Sequence, residues 1–360
     1  VMLVQAFIDL GTCGLAAWIA WRVVPAPRRK LAATVAFWMA ALCPFTANYT
    51  AAVLTETLAT FFTTLAALVF VIALTHPSMK ISRGAIPRNQ LFTDVGWFLL
   101  GGLVTGLAAL VRPETPLLLV AFGLVLCVTW RRREDWWKLA LACLWMAVGL
   151  LLPLSIWAAR NAHTMGHVRF PAPRYAETNG DYIPRGFFSW TQTWMVRFGD
   201  AYTVTWKLGR GPIEMDAFPA SAFDSDDERN HVAALIAGYN RDFYMNPSLD
   251  GQFARLADER TARHPLRTYA SVPLIRAVMI WFTPRVELLP YSGKLWPPAQ
   301  RWRENSTDFS VTLGFGLLNL VIIVFAAIGA WRWRKSPAVA FLAVVIVVRT
   351  IFLVQLQTVE

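Results

Sequence analysis

Charge is scarce in this sequence, and its scarcity is the first clue to its class. Only 16% of the 360 residues are Asp, Glu, Lys or Arg, against the quarter or so usual in soluble domains. The charges also cluster, leaving windows of about 17 to 24 residues that carry almost none, which a soluble fold of this size does not need. Cysteine is scarce too. Cys13, Cys43, Cys127 and Cys143 all fall inside apolar runs without metal-ligand spacing, so they read as reduced packing residues and give no redox compartment. Of the five histidines (His76, His163, His167, His231 and His264), only His163 and His167 stand four apart, and they flank Met165-Gly166 just past a membrane exit. That is poor material for a metal site. No P-loop, dinucleotide fingerprint, nucleophile elbow or paired-Cys site is present.

What is abundant is apolar surface, with 56% hydrophobic residues and 17 tryptophans. The pattern predicts an all-α polytopic membrane protein of about eight transmembrane helices, at 1–21, 31–48, 52–75, 95–111, 115–130, 138–158, 309–330 and 338–356. Each span must be helical, because hydrocarbon offers backbone amides no outside partner. The net charge of +11 would point to nucleic acid in a soluble chain. Here the cations sit in alternate short loops: Arg22, Arg28, Arg29 and Lys30, then Lys80, Arg83 and Arg88, then Arg131, Arg132, Arg133 and Lys138, then Arg332, Arg334 and Lys335. By the positive-inside rule these loops are cytoplasmic, so the excess reflects topology and anionic membrane lipid, with no nucleic-acid partner.

Three domains follow: N-terminal spans at 1–158, a periplasmic segment at 159–308, and two C-terminal spans at 309–360. The long segment is nearly balanced, with 18 basic and 16 acidic residues. YASVPLIRAVMIWF (269–282) is apolar but short and contains Arg276. A crossing there would put WRWRK (331–335) outside, so an interfacial amphipathic helix is expected near 269–282. Up to about residue 220 the Pro, Gly and aromatic content predicts irregular structure. Beyond it, Asp224 or Ser225 can cap a helix whose apolar face is 232, 235, 236 and 239, and a second helix is expected at about 249–263, ending at His264-Pro265. The acidic cluster Asp224, Asp226, Asp227 and Glu228 reads as a solvated helix N-terminus in preference to a metal site.

Polar residues gather at the outer ends of the spans. Glu56 lies just inside the helix that follows CPFTANYTAAVLT, beside Thr55 and Thr57. It can be a helix-start carboxylate favoured by the dipole, or a base aimed into an outer cavity. Arg112, Pro113 and Glu114 join two short apolar runs, so the turn can sit below the membrane surface, where a guanidinium suits a phosphate. The alternative is an arginine that merely snorkels at a helix end. Arg160 and Asn161 follow the interfacial Trp157, immediately outside span 138–158. Asp9 and Gln5 lie toward the outer half of the first span. Glu114 has no evident task beyond a salt bridge to a nearby arginine.

The segments LTETLATFFTTLAAL (54–68), GLVTGLAALVRPETPLLL (102–119), PLSIWAARN (153–161) and HPLRTY (264–269), in this order, resemble membrane glycosyltransferases of the GT-C type. The nearest group is the bacterial protein O-mannosyltransferase and aminoarabinose transferase group. The resemblance implies a bacterial inner-membrane, multi-pass enzyme with its active site facing the periplasm. Such an enzyme moves a sugar from a polyprenyl-phosphate donor to a lipid, glycan or protein acceptor by inverting displacement. It also implies roles: Glu56 as the catalytic carboxylate, and Arg112, Arg160 and Asn161 as contacts to the lipid phosphate. Glu114 is a further candidate, as is Glu360, which matches the first residue of a late E-x-R-Y element. The class allows a divalent metal, but no cofactor and no metal ligand are assigned. The family's principal acidic motif precedes the helix that opens this chain, and the later spans are missing, so the 360 residues are expected to be truncated at both ends and incomplete as an enzyme. A transporter or lipid flippase is the main rival, and it predicts broken helices, internal repeats and ionisable groups near the midplane. A non-catalytic scaffold is the third.

Overall fold

The computed structural model describes residues 2–51, 55–76, 88–130, 136–165, 182–286 and 289–355. Among them there is helix and no strand. The first half contains α1 (Met2–Val23), α2 (Arg29–Ala41), α3 (Pro44–Ala51), α4 (Glu56–Thr75), α5 (Arg88–Val111), α6 (Leu117–Thr129) and α7 (Trp136–Met165). There follow α8 (Arg185–Gln192), α9 (Phe198–Thr203), α10 (Asp226–Tyr239), α11 (Pro247–Arg263) and α12 (Val272–Phe282). The chain continues with α13 (Pro298–Glu304), α14 (Ser306–Arg332) and α15 (Pro337–Gln355). It divides into two compact units, Val1–Ala172 with Pro284–Arg349, and Pro173–Thr283 with Thr350–Glu360.

Six helices in the described residues are long and apolar enough to cross a membrane: α1, α4, α5 from Asp94, α7 to Thr164, α14 and α15. The architecture is that of an all-α, multi-pass membrane protein. Two of the expected spans take another form. The run at 31–48 is broken into α2 and α3, bent by 47°. Pro44 opens α3, and a proline both lacks an N–H and disfavours helical backbone in the residue before it. The run at 115–130 yields α6, whose 13 residues reach about 20 Å, short of the hydrocarbon thickness.

In the first unit, α4, α5, α6 and α15 meet in a phenylalanine cluster. Phe70 stacks on Phe122 at 4.4 Å between ring centroids, and Phe341 stands edge-on to both at 5.6 and 5.7 Å. Between apolar helices in lipid, close packing supplies the attraction that water expulsion supplies elsewhere. The pair α5 and α7 shows this most directly. A Cβ at Gly102 would overlap the carbonyl oxygen of Met146, and one at Gly149 would overlap that of Leu99. Gly106, one turn on from Gly102, lies against Leu150 and Pro153 in the same way.

The second unit has a conventional aromatic core. Trp190, Phe187, Phe253 and Tyr239 are fully buried, with Trp194 and Phe218 against them. The stretch before residue 220 is not irregular throughout: α8 and α9 are helical, and three short 3-10 turns follow. These elements are brief and take their shape from burial of aromatics, which leaves little local periodicity to read. Val232, Leu235, Ile236 and Tyr239 form the buried face of α10, and Ser225 caps it by accepting the N–H of Glu228 at 3.1 Å. Helix α11 ends at Arg263 with His264 as its C-cap.

The acidic cluster is only half solvated. Asp226 and Asp227 are exposed, but Glu228 is buried and Asp224 is turned inward. Both pair with Arg260 and Arg263 of α11, and Asp224 also pairs with Arg267 just after it. Fully buried Arg260 donates to Glu228, and its Nη1 also lies 3.2 Å from Asp224. Its Nε donates to Thr193 Oγ1 at 2.9 Å and its Nη2 to the Ser221 carbonyl at 3.1 Å. Arg263 and Arg267 close the cluster at 3.2 Å on Glu228 and 2.6 Å on Asp224. Burial raises the pKa of Asp224, but the Arg267 hydrogen bond and the charges of Arg260, Arg267 and Arg263 outweigh it and hold the group below its ordinary 3.8.

The apolar run at 269–282 forms α12 after a single π turn. Val272, Pro273 and Arg276 face inward, while Leu274, Ile275, Val278 and Phe282 are exposed. Arg276 donates to the carbonyls of Met195, Gln192 and Val354 at 2.7, 2.8 and 3.0 Å. It meets carbonyls at the C-terminal ends of α8 and α15, where the helix dipole favours a cation. Burial pulls its pKa down to about 10.

Candidate functional site

Helix α5 stops because Pro113 follows Arg112. Arg112 still donates its backbone N–H to Ala108 at 2.8 Å, and its own carbonyl then accepts the N–H and Oγ1 of Thr115 at 3.2 and 2.9 Å. A tight turn results, closed by Leu117 N–H on the Glu114 carbonyl at 3.1 Å, and α6 starts directly after it. The turn therefore fixes Arg112 and Glu114 two positions apart between two apolar helices.

Glu56 is the first residue of α4, and Thr55 before it supplies no side-chain cap. The carboxylate is thus at the positive end of a 20-residue helix dipole. It does not face water freely. Oε1 accepts a hydrogen bond from Arg112 Nη2, and each side chain is 27% exposed. Oε2 is buried and has no hydrogen-bond partner among the described residues. Glu56 is therefore held by one carboxylate oxygen and keeps the other without a hydrogen-bond partner among the described residues.

Arg112 Nη1 also lies 3.9 Å from Glu114 Oε1. The same Glu114 oxygen is 3.4 Å from Nη2 of Arg349 in α15. Glu114 is 13% exposed and Arg349 44%. The result is an alternating chain, Glu56–Arg112–Glu114–Arg349, with no net charge. Charge inside apolar helices costs about 3 kcal/mol per residue on insertion scales, and alternation in this order offsets it. Glu114 finds the arginine partner expected of it, and finds two.

Arg349 was missed by sequence reasoning. Its signal was present, since it is the one charged residue inside the apolar run AVAFLAVVIVVRTIFLVQ. What could not be read was its partner, 235 positions away.

The other expected residues do not join this chain. Arg160 and Asn161 lie inside α7, which continues to Met165, and not immediately outside a helix ending at 158. Leu151 to Met165 remain helical around Pro153 because the missing N–H of one proline disrupts a single turn. Asn161 is buried, while Arg160 is exposed and donates to Asn161 Oδ1 at 3.5 Å. Asp9 sits half-buried in α1 and forms no ion pair among the described residues. Glu360 and His167 lie outside the described residues. Among those described, no group of three or more His, Cys, Asp or Glu could hold a metal ion. The free cysteines include exposed Cys127 and Cys143 on apolar helices.

Chemically, the chain can do two things. Its arginines offer planar, fixed donors for an oxyanion, and Glu56 offers one unpaired oxygen for a proton. No known protein family, curated protein or solved structure matches this chain.

Proposed function

We propose that this protein is an integral-membrane glycosyltransferase that moves a sugar from a polyprenyl-phosphate donor to an acceptor on the periplasmic side of a bacterial inner membrane. The observation that carries this reading is the Glu56–Arg112 pair, with its unpaired Glu56 Oε2, at the ends of apolar helices. The resemblance of LTETLATFF and LVRPETPLLL to GT-C enzymes supports it at the same two residues. In this reading the chain crosses the membrane about eight times, counting the bent α2–α3 pair and short α6. Residues 159–308 are periplasmic, and α12 lies at the membrane surface with Leu274, Ile275, Val278 and Phe282 toward lipid.

The reaction is an inverting displacement at the anomeric carbon. Glu56 takes the proton of the acceptor hydroxyl as its oxygen attacks. The bond to the lipid phosphate breaks on the opposite face, and Arg112 stabilises the charge that develops on the departing phosphate. Arg160 and Asn161 stand as further contacts to the lipid-linked donor. The phosphate ester departs as an anion, so proton and charge balance without a further reactant.

The rival is a lipid flippase, which shares the membrane helices and the arginines. The two separate in one assay with the full-length protein in vesicles and a donor labelled in its sugar. The transferase consumes the donor and leaves polyprenyl phosphate. A flippase moves intact donor between leaflets, and that outcome would overturn the transferase reading.

A further inference from the structure

Glu114 and Arg349 are unused by the displacement above, yet they are the two ends of one contact. Arg112 has carboxylates on both sides: Glu56 on Nη2, and Glu114 at 3.9 Å from Nη1. A carboxylate 3.9 Å from a half-buried guanidinium is attracted to it without a direct hydrogen bond. What competes is Arg349, which approaches the same Glu114 oxygen at 3.4 Å. Glu114 accepts a hydrogen bond from Arg349 and stands near Arg112 without one.

We propose that Arg349 is a positioning residue that holds Glu114 off Arg112, so that the Nη1 edge of Arg112 stays available to a phosphate ester. Two effects act together. Arg349 draws the Glu114 carboxylate toward α15, and it brings the four-residue cluster to zero net charge. Without Arg349 the cluster carries one net negative charge, and Glu114 closes on Arg112 opposite Glu56. Arg112 is then capped on both edges and repels the anion it should bind. This role rests on reading Arg112 as the phosphate contact. It makes a statement that reading does not: the loss caused by removing Arg349 must be undone by neutralising Glu114.

The test measures binding of dodecyl phosphate, with inorganic phosphate in parallel, to the full-length protein in detergent. The variants are Arg349→Met, Glu114→Gln and their combination, with thermal unfolding followed for each. Arg349→Met should weaken dodecyl phosphate binding about tenfold or more, a shift within the range of one ion-pair contact. Glu114→Gln should bind as well as wild type or tighter. The double variant should return to within about threefold of wild type. Arg349→Lys, which keeps the charge, should stay close to wild type. If the double variant remains as weak as Arg349→Met, Arg349 touches the phosphate itself and the positioning role is wrong. Should Arg349→Met fold poorly, Glu114→Gln alone decides: binding weakened about tenfold in a folded protein contradicts the proposal. Weakening confined to dodecyl phosphate places the ligand in the lipid, and equal weakening for inorganic phosphate makes it a free anion. A wild-type protein that binds neither phosphate sinks the reading of Arg112 along with this inference. A wild type that binds while Arg349→Met is unaffected sinks the inference alone.

Discussion

Two arginine–carboxylate clusters stand out among the described residues, and their central cations are satisfied to different degrees. In the second unit Arg260 is fully buried, and its three nitrogen positions are met by Thr193, Glu228 with Asp224, and the Ser221 carbonyl. In the first unit the chain from Glu56 to Arg349 is partly exposed, two of its contacts are 3.4 and 3.9 Å, and one carboxylate oxygen is unpaired. Arg260, with every nitrogen met, has no donor left for a ligand, although Arg267 Nε in the same cluster is buried without a partner among the described residues. The Glu56–Arg349 chain lies between apolar helices with longer contacts, which is costly to keep and makes it the better candidate for a functional site.

The sharpest way to break the comparison is to remove the central cation of the second unit's cluster. Arg260→Met leaves Asp224 and Glu228 as buried charges short of a partner, which should cost about 3–5 kcal/mol. Thermal unfolding and limited proteolysis should show the second unit opening. A stable Arg260→Met protein would mean that Arg263 and Arg267 suffice and that the cluster is redundant.

Next in size is a change that touches no charge. Gly102→Val places a side chain against the Met146 carbonyl and should cost about 1–3 kcal/mol through overpacking. Because α5 carries Arg112 at its end, phosphate binding should weaken as the α5–α7 pair loosens. Unchanged stability in detergent would remove the argument for close helix packing.

The smallest effect is a pH dependence. The folded-state pKa of Asp224 lies below 3.8, so its pairing stabilises the fold above that value and the contribution is lost as pH falls through the lower, folded value. Acid unfolding of Asp224→Asn should therefore be flatter below pH 3.8 than that of the wild type. Parallel curves would show that Asp224 is not held by its arginines in solution.

The membrane character, the helix starts at Glu56 and Ser225 and the end at Arg263 were legible, because apolar runs, caps and prolines act within a few residues. The break at Pro44 has a local cause, but the apolar run continues on both sides of it and hides the bend. The inward turn of Asp224 and Glu228 was less visible, although Arg260, Arg263 and Arg267 recur at helical spacing. Arg349 could be seen but not paired, since ion pairs across 235 positions are set by packing and leave no trace in local pattern. The close contact at Gly102 and Gly149 is of the same kind: a glycine leaves room for an approach without naming what approaches.

The central claim is that Glu56 accepts the acceptor's proton during sugar transfer. It is tested most directly by donor turnover in Glu56→Gln, which is nearly isosteric and retains an oxygen to face Arg112. With labelled polyprenyl-phosphate sugar and full-length protein in membranes, turnover should fall by about 10²–10⁴ while the thermal unfolding curve stays in place. Full turnover in a folded Glu56→Gln protein would contradict the account.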